Sequence, residues 1–142
     1  MLLVRWVHVV SAITWIGGML FIALIVVPVT RTLEDAELRS RLIRQIGVRF
    51  RTVAWIGLAL LIVTGLVNLW AHPSLLLSPR FLWKLGLVIS ALLLSALHDF
   101  VIGPRAAAPD ADPAARVRVS WIARINALVA LLIVLLGLSL RG

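Results

Sequence analysis

Four long apolar stretches dominate the order of hydrophobic and polar positions along this chain. They run over Leu2 to Val29, Val53 to Trp70, Phe81 to Ile102 and Trp121 to Leu140. A hydrocarbon core of roughly 30 Å requires about 20 mostly apolar residues per helix, and each stretch is close to that length or above it. None alternates with the period of two that strands require, and an open sheet would leave unpaired amides in lipid. The pattern therefore predicts four transmembrane helices and an all-α fold.

These stretches take up most of the 142 residues. The connections between them are too short to hold a folded domain outside the membrane. We therefore expect a single transmembrane domain over residues 1–142, built as an integral membrane four-helix bundle.

Composition agrees with a membrane protein, because 62% of the residues are hydrophobic, 14% are charged and the mean hydropathy is +1.08. Soluble domains stay near half apolar.

The net charge of +8 could indicate a protein that binds nucleic acid. A phosphate-binding surface, however, needs its basic residues on one continuous face. Here they are grouped by membrane side instead, so we expect no nucleic-acid partner.

The two sides of the predicted membrane differ in basic residues. The side of both termini and the short connection has Arg5, Arg80, Lys84 and Arg141, and the other ten of the 14 lie opposite: Arg31, Arg39, Arg41, Arg44, Arg49, Arg51, Arg105, Arg116, Arg118 and Arg124. By the positive-inside rule, both termini should face the non-cytoplasmic side of a prokaryotic plasma membrane. The arginines should contact anionic membrane lipids.

The first cytoplasmic connection, residues 32–50, has the pattern of an amphipathic helix. Its first residues suit a capped helix N-terminus: Thr32, Glu34, Asp35 and Glu37. An apolar residue then recurs at every fourth position: Leu38, Leu42, Ile46 and Phe50. We expect this helix either to lie at the interface or to extend the second span, and Asp112 followed by Pro113 to begin the last helix.

Few polar residues lie within the spans, and each is costly there unless it is paired or used. His8 lies about one turn past Arg5, on a helix face that also includes Trp15. A lone histidine in a span could form an interhelical hydrogen bond, or it could be an axial ligand to haem iron or a ligand to copper. The sequence leaves these alternatives open.

Three further candidates lie near the same membrane face as His8. Asn68 and His72 are four residues apart at the end of the second span and could complete a site with His8, although His72 could simply be wetted. Lys84 could extend towards water or supply an amine ligand from the third span.

His98 lies near the opposite membrane face, because it is 14 residues from Lys84, or roughly 21 Å along a helix. Asp99, Arg105 and Arg124 lie at a similar depth, so His98 and Asp99 could form an ion-paired cap. The alternatives for His98 are a proton or electron entry point and a metal ligand.

Three segments resemble the copper-resistance protein D family and the HemJ-type protoporphyrinogen oxidases, which are small helical membrane families. The segments are HVVSAITWIGG from His8, RFRTVAWIGLALLIVTGLVNLW from Arg49 and FLWKLGLVISALLLSALHDF from Phe81. The HemJ-type likeness implies a four-helix bundle that binds haem b through His8 and Lys84. The chain differs in lacking tyrosine, which weakens the case for porphyrinogen oxidation itself.

The resemblance therefore implies a haem-b-binding redox or electron-transfer protein, which could act as an oxidoreductase. His8 is the first ligand candidate, and Lys84, His72 or a histidine of a second chain is its partner. Arg5 and Arg80 would neutralise the propionates, and Trp15 and Asn68 would line the cofactor. The alternative is a copper-uptake or copper-tolerance protein without a tightly bound organic cofactor, with His8, His72 and His98 as metal ligands. A third possible function is that of a structural scaffold. Independently of function, glycine pairs in the spans could support a homo-oligomer.

Overall fold

The computed structural model describes residues 1–106 and 112–139, and in these residues the fold is helical throughout, without a strand. Its four long helices are α1 (Leu2–Arg31), α2 (Ala36–Ala71), α3 (Pro79–Ala106) and α4 (Pro113–Ser139). A short 3-10 turn, Pro73–Leu77, precedes α3. The all-α prediction is confirmed. Two residues assigned above to the last span and its flank lie outside the described residues: Leu140 and Arg141.

All four helices are long and apolar enough to cross a membrane. Only 11% to 22% of the most apolar stretch of each helix is buried within the protein. The remaining apolar surface is suited to lipid, because large aliphatic side chains left in water would lose the free energy of burial. The chain is a multi-pass integral membrane protein.

The helices form two compact units, Met1–Ala71 and His72–Gly142. In the first hairpin α1 packs against α2, and in the second hairpin α3 packs against α4. Each unit is an antiparallel helix pair, the helical counterpart of a hairpin. The prediction of a single domain stays a prediction.

The first hairpin is held together along a seam of small and medium-sized residues. Trp15 of α1 is only 5% exposed. Its Cβ would lie 3.8 Å from a methyl group placed at Gly57 of α2, and the carbonyl oxygen of Ser11 would lie 3.6 Å from it. The glycine therefore lets the two backbones approach closely, as is typical of membrane helix pairs. Further along, the ring of Phe50 fills the space beside Gly18.

The second hairpin has a corresponding seam. Ala91 and Ser95 of α3 are buried, with Ala91 only 1% exposed, and Asn126 and Ala130 of α4 are buried as well. In each pair the two residues are four apart, so they lie on one face of their helix.

Both α1 and α3 contain a π-helical segment close to a proline. The segments are Ile22–Val26, ahead of Pro28, and Leu97–Ile102, ahead of Pro104. Proline has no N–H and its ring clashes with the carbonyl four residues back, and a wider turn relieves that clash. Gly103 closes the second segment, donating its N–H to the carbonyl of His98. A side chain there would lie 2.6 Å from the same oxygen, so only glycine fits.

The helix ends differ in part from the sequence predictions. α2 begins at Ala36 and runs to Ala71, so the amphipathic stretch and the second span form one continuous helix. The N-terminal cap of α2 is Asp35, whose Oδ1 accepts from the N–H groups of Glu37 (2.8 Å) and Leu38 (3.1 Å). Thr32 instead closes α1, because its hydroxyl donates to the carbonyl of Val29 at 2.8 Å. A hydroxyl that is used in this way is not available to the next helix.

The start of α4 agrees with the prediction. Pro113 is its first residue, and Asp112 accepts a hydrogen bond from the Ala114 N–H at 3.0 Å. The third helix extends to Ala106, four residues beyond the predicted end of the span at Ile102.

Candidate functional site

His8 faces the partner helix of its own hairpin. Its Nδ1 lies 2.7 Å from the hydroxyl oxygen of Thr64 on α2. The imidazole is half-buried, whereas Thr64 is buried. This contact joins two residues that are 56 positions apart in the sequence. It therefore belongs to the tertiary structure of the hairpin and not to either helix alone.

The contacts of Thr64 fix which imidazole nitrogen carries the proton. Its Oγ1 lies 2.6 Å from the carbonyl oxygen of Leu60, four residues back on the same helix. Two oxygens so close need a hydrogen between them, and the only one available is that of the hydroxyl. The hydroxyl therefore donates to Leu60 and accepts from the Nδ1–H of His8. In the neutral ring this tautomer places the lone pair on Nε2.

Gly65 lies next to the imidazole. The Cε1 of His8 would lie 3.9 Å from a methyl group at Gly65, which is an ordinary van der Waals contact. Thr64 therefore positions the ring edge, and the backbone of α2 at Gly65 lies beside the ring. Nδ1–H bonded to an oxygen, with Nε2 as the coordinating atom, is the usual arrangement of a metal-ligating histidine.

The other candidates of the first hairpin have different surroundings. Trp15 lies in the seam against Gly57, so its described contacts are packing contacts between the helices. Asn68 is half-buried one turn beyond Thr64, on the same face of α2, and Arg5 is exposed one turn before His8. Both lie towards the same end of the hairpin as the imidazole.

His72 lies beyond the end of α2 and is exposed. Its backbone is not helical, with φ −137° and ψ 67°, and its carbonyl accepts from the Leu75 N–H at 3.1 Å. These features agree with a residue that is wetted at the exit of a helix.

In the second hairpin, Lys84 is directed towards the partner helix. Its Nζ would lie 3.3 Å from a methyl group at Gly137 of α4, so glycine makes room for a nitrogen-bearing side chain. One turn earlier, Arg80 donates a long hydrogen bond of 3.5 Å to the carbonyl oxygen of Ser139. Both cations thus lie beside the last turns of α4, where the helix dipole favours positive charge.

The opposite end of the second hairpin holds two further polar contacts. His98 Nδ1 lies 2.7 Å from Asp99 Oδ1, within the π-helical segment. The buried Asn126 donates to the hydroxyl of Ser95 at 2.9 Å. Arg124 stacks over the ring of Trp121, with 5.2 Å between its Cζ and the ring centroid. His98 and Asp99 thus contact each other, and the ion-paired cap stays a prediction.

Sequence reasoning missed the residues that position the candidate ligands. Thr64 attracts no attention in an apolar span, yet it lies four residues before Asn68 and so shares its helix face. Gly65 and Gly137 can be recognised only once the partner helix is known. Within residues 1–106 and 112–139, His, Asp and Glu side chains nowhere form a group of three that could hold a metal ion.

Comparison with known proteins places the chain in a family. The model of DUF4149, described as a domain of unknown function, matches residues 10–115, which is more than half of the 142. The chain belongs to the DUF4149 family. The matched region of this DUF4149 chain includes Thr64, Gly65 and Lys84, and it begins two residues after His8.

A relative of this DUF4149 chain occurs in Aquifex aeolicus (strain VF5). It is called an uncharacterized protein and is 34% identical over 137 residues, which cover 96% of this chain and 92% of the relative. The two are thus similar over nearly their whole lengths. No solved structure matches.

Proposed function

We propose that this protein is an integral membrane haem-b-binding protein with a redox or electron-transfer role, in which His8 is an axial ligand of the iron. The observation that carries the proposal is the hydrogen bond of 2.7 Å between His8 and Thr64. It holds the ring in the tautomer whose Nε2 can coordinate a metal.

The chemistry of the available donors fits haem. A haem iron takes four ligands from the porphyrin, so one or two protein side chains complete its coordination. A copper site built from side chains alone would draw on several nearby imidazoles or sulfur ligands. His8 satisfies the first requirement, and the apolar helices around it would exclude water and help to set the reduction potential.

When bound, the haem would supply one-electron chemistry, while the residues of the chain would hold and tune it. His8 would ligate the iron, and Thr64 would fix the ring and raise its basicity. Arg5 would neutralise a propionate. The similarity to HemJ-type proteins, proposed from the sequence, offers Lys84 as the second ligand. His72 and a histidine of a second chain are further candidates, and Arg80 would be a further propionate partner. Asn68 and Trp15 would lie next to the cofactor.

The proposal includes an orientation. Ten of the 14 basic residues lie on the side of the two longer connections. By the positive-inside rule that side is cytoplasmic, so both termini and His8 would be near the non-cytoplasmic face of a prokaryotic plasma membrane. Reporter fusions at the two termini would test this, with both inactive in the cytoplasmic assay and active in the periplasmic one.

An absorption spectrum tests the haem proposal directly. Protein purified from haem-replete cells should show a Soret band that shifts on reduction, and His8→Ala should lose most of it. His98→Ala is the matched control, because it removes an imidazole from the other hairpin and should leave the band intact. A colourless wild-type protein would contradict the proposal.

Metal analysis of the same preparation separates the alternatives. Stoichiometric copper without a Soret band, lost in His8→Ala, would favour a copper-handling protein. A preparation that contains neither metal nor haem, together with lowered stability of His8→Ala, would favour a structural scaffold.

Lys84→Met and His72→Ala identify the second ligand of the haem iron. Loss of that ligand should change the spin state of the iron without removing all of the haem.

A further inference from the structure

The two helices of the first hairpin differ in where their apolar stretches end. α1 is apolar as far as Val29, but α2 becomes apolar only at Val53. The contact between Gly18 and Phe50 fixes how the helices lie side by side. Because they are antiparallel, the apolar residues of α1 beyond Gly18 run beside the arginine-rich start of α2.

No single membrane boundary suits both helices in this stretch. From Gly18 to Arg31 the helix rises about 20 Å, whereas the whole hydrocarbon core is only about 30 Å thick. If the core ended near Phe50, several large side chains of α1 would stand in water: Phe21, Leu24, Ile25 and Val29, all at least half exposed. If it ended near Val29, four arginines of α2 would lie in hydrocarbon, which is costly. An upright hairpin therefore cannot satisfy both faces.

We propose that this part of the hairpin, residues 19–50, is an interfacial arm that lies on an anionic membrane surface. One side of the arm is the exposed apolar face of α1, which would enter the boundary between headgroups and acyl chains. The other is the basic face of α2, which would bind the phosphate groups of anionic lipids. The occupant of this surface is thus phospholipid and not a second protein.

The distribution of charge along the arm supports lipid as the occupant. From Leu38 to Phe50, the arm contains four arginines and no acidic residue: Arg39, Arg41, Arg44 and Arg49. The acidic residues Glu34, Asp35 and Glu37 are confined to the tip, and Asp35 caps α2 there. Binding to a protein partner would not explain why the acidic and basic residues are separated along the arm. A membrane would explain it, because basic residues near its surface are attracted and acidic residues are repelled.

Arg41 and Arg44 are the best positions at which to test the basic face. Both are exposed, and on a helix they lie away from the stripe of Leu42, Ile46 and Phe50. Replacing them with glutamine therefore removes charge without disturbing the contact between α1 and α2.

The natural chain contains no cysteine, so a single one can carry a spin label without a background. Leu24→Cys places the label on the apolar face of the arm, and Glu34→Cys places it at the tip. In vesicles of phosphatidylcholine with phosphatidylglycerol, collision with a water-soluble nickel chelate reports exposure to water. The label at position 24 should be protected and the label at position 34 accessible.

Charge removal should release the arm. Each arginine near an anionic surface contributes about 1 kcal/mol, which is about fivefold in the ratio of bound to released arm. In the Leu24→Cys background, the pair Arg41→Gln and Arg44→Gln should lower this ratio by up to about 25-fold and raise chelate accessibility. The pair Arg105→Gln and Arg118→Gln is the matched control, because both residues are exposed and their loss removes the same charge from the other hairpin.

Two results would overturn the inference. One is a label at position 24 that is as accessible as that at position 34 in anionic vesicles, since the apolar face would then stand in water. The other is protection that does not change when phosphatidylglycerol or the two arginines are removed, since anionic lipid would then not be recognised. Phe21→Cys, on the same face, repeats the measurement if Leu24→Cys folds poorly. The test does not depend on haem.

Discussion

The hydrogen bond between His8 and Thr64 can be removed by Thr64→Val, which deletes one hydroxyl and keeps the shape of the side chain. The bond is short, at 2.7 Å, and Thr64 is buried. Interhelical hydrogen bonds in membranes contribute about 0.6 kcal/mol on average and about 1.7 at most. Leaving a buried donor without a partner costs about 1 to 3 kcal/mol. We therefore expect Thr64→Val to lower the free energy of unfolding by about 1 to 2 kcal/mol.

The same change should weaken haem binding if His8 is the ligand. Loss of an outer-shell partner of a metal-ligating histidine commonly costs about 10- to 100-fold in metal affinity. Haem titration of the apoprotein, followed at the Soret band, measures this directly. Thr64→Ser is the matched control, because it keeps the hydroxyl and should retain most of the affinity.

A double-mutant cycle with His8→Ala tests the contact itself. Residues in direct contact have interaction energies of about 0.5 kcal/mol or more, whereas independent sites add within about 0.3 to 0.5. Additive losses of unfolding free energy would show that the hydrogen bond contributes nothing. A loss of stability in Thr64→Val with unchanged haem affinity and midpoint potential would refute its role in positioning the ligand.

Two other positions test the packing of the hairpins. Gly18→Ala should destabilise the first hairpin by about 1 to 3 kcal/mol, because the ring of Phe50 fills the space its methyl group needs, and adding Phe50→Leu should restore part of the loss. Ser95→Ala should cost about 0.6 kcal/mol, the average for such bonds, by removing the acceptor of Asn126. Reversible unfolding in mixed detergent micelles measures both, and losses below about 0.3 kcal/mol would contradict this account of the seams.

The sequence alone determined that this chain is an all-helical membrane protein with four spans. An apolar run of about 20 residues in lipid can satisfy its amides only by forming a helix, so length and composition suffice. The start of α4 at Pro113 was predictable for a similar local reason, since the side chain of Asp112 and the ring of proline act within one turn.

The tertiary structure decided which polar residues meet. Periodicity placed His8, Asn68 and Lys84 on helix faces, but it could not show that Thr64 would accept the imidazole proton or that Gly137 would make room for an amine. Those contacts depend on how two helices are aligned along their axes. Leucines that face lipid do not determine this alignment. The register is set by glycines and small residues, whose effect comes from the backbone that they allow to approach.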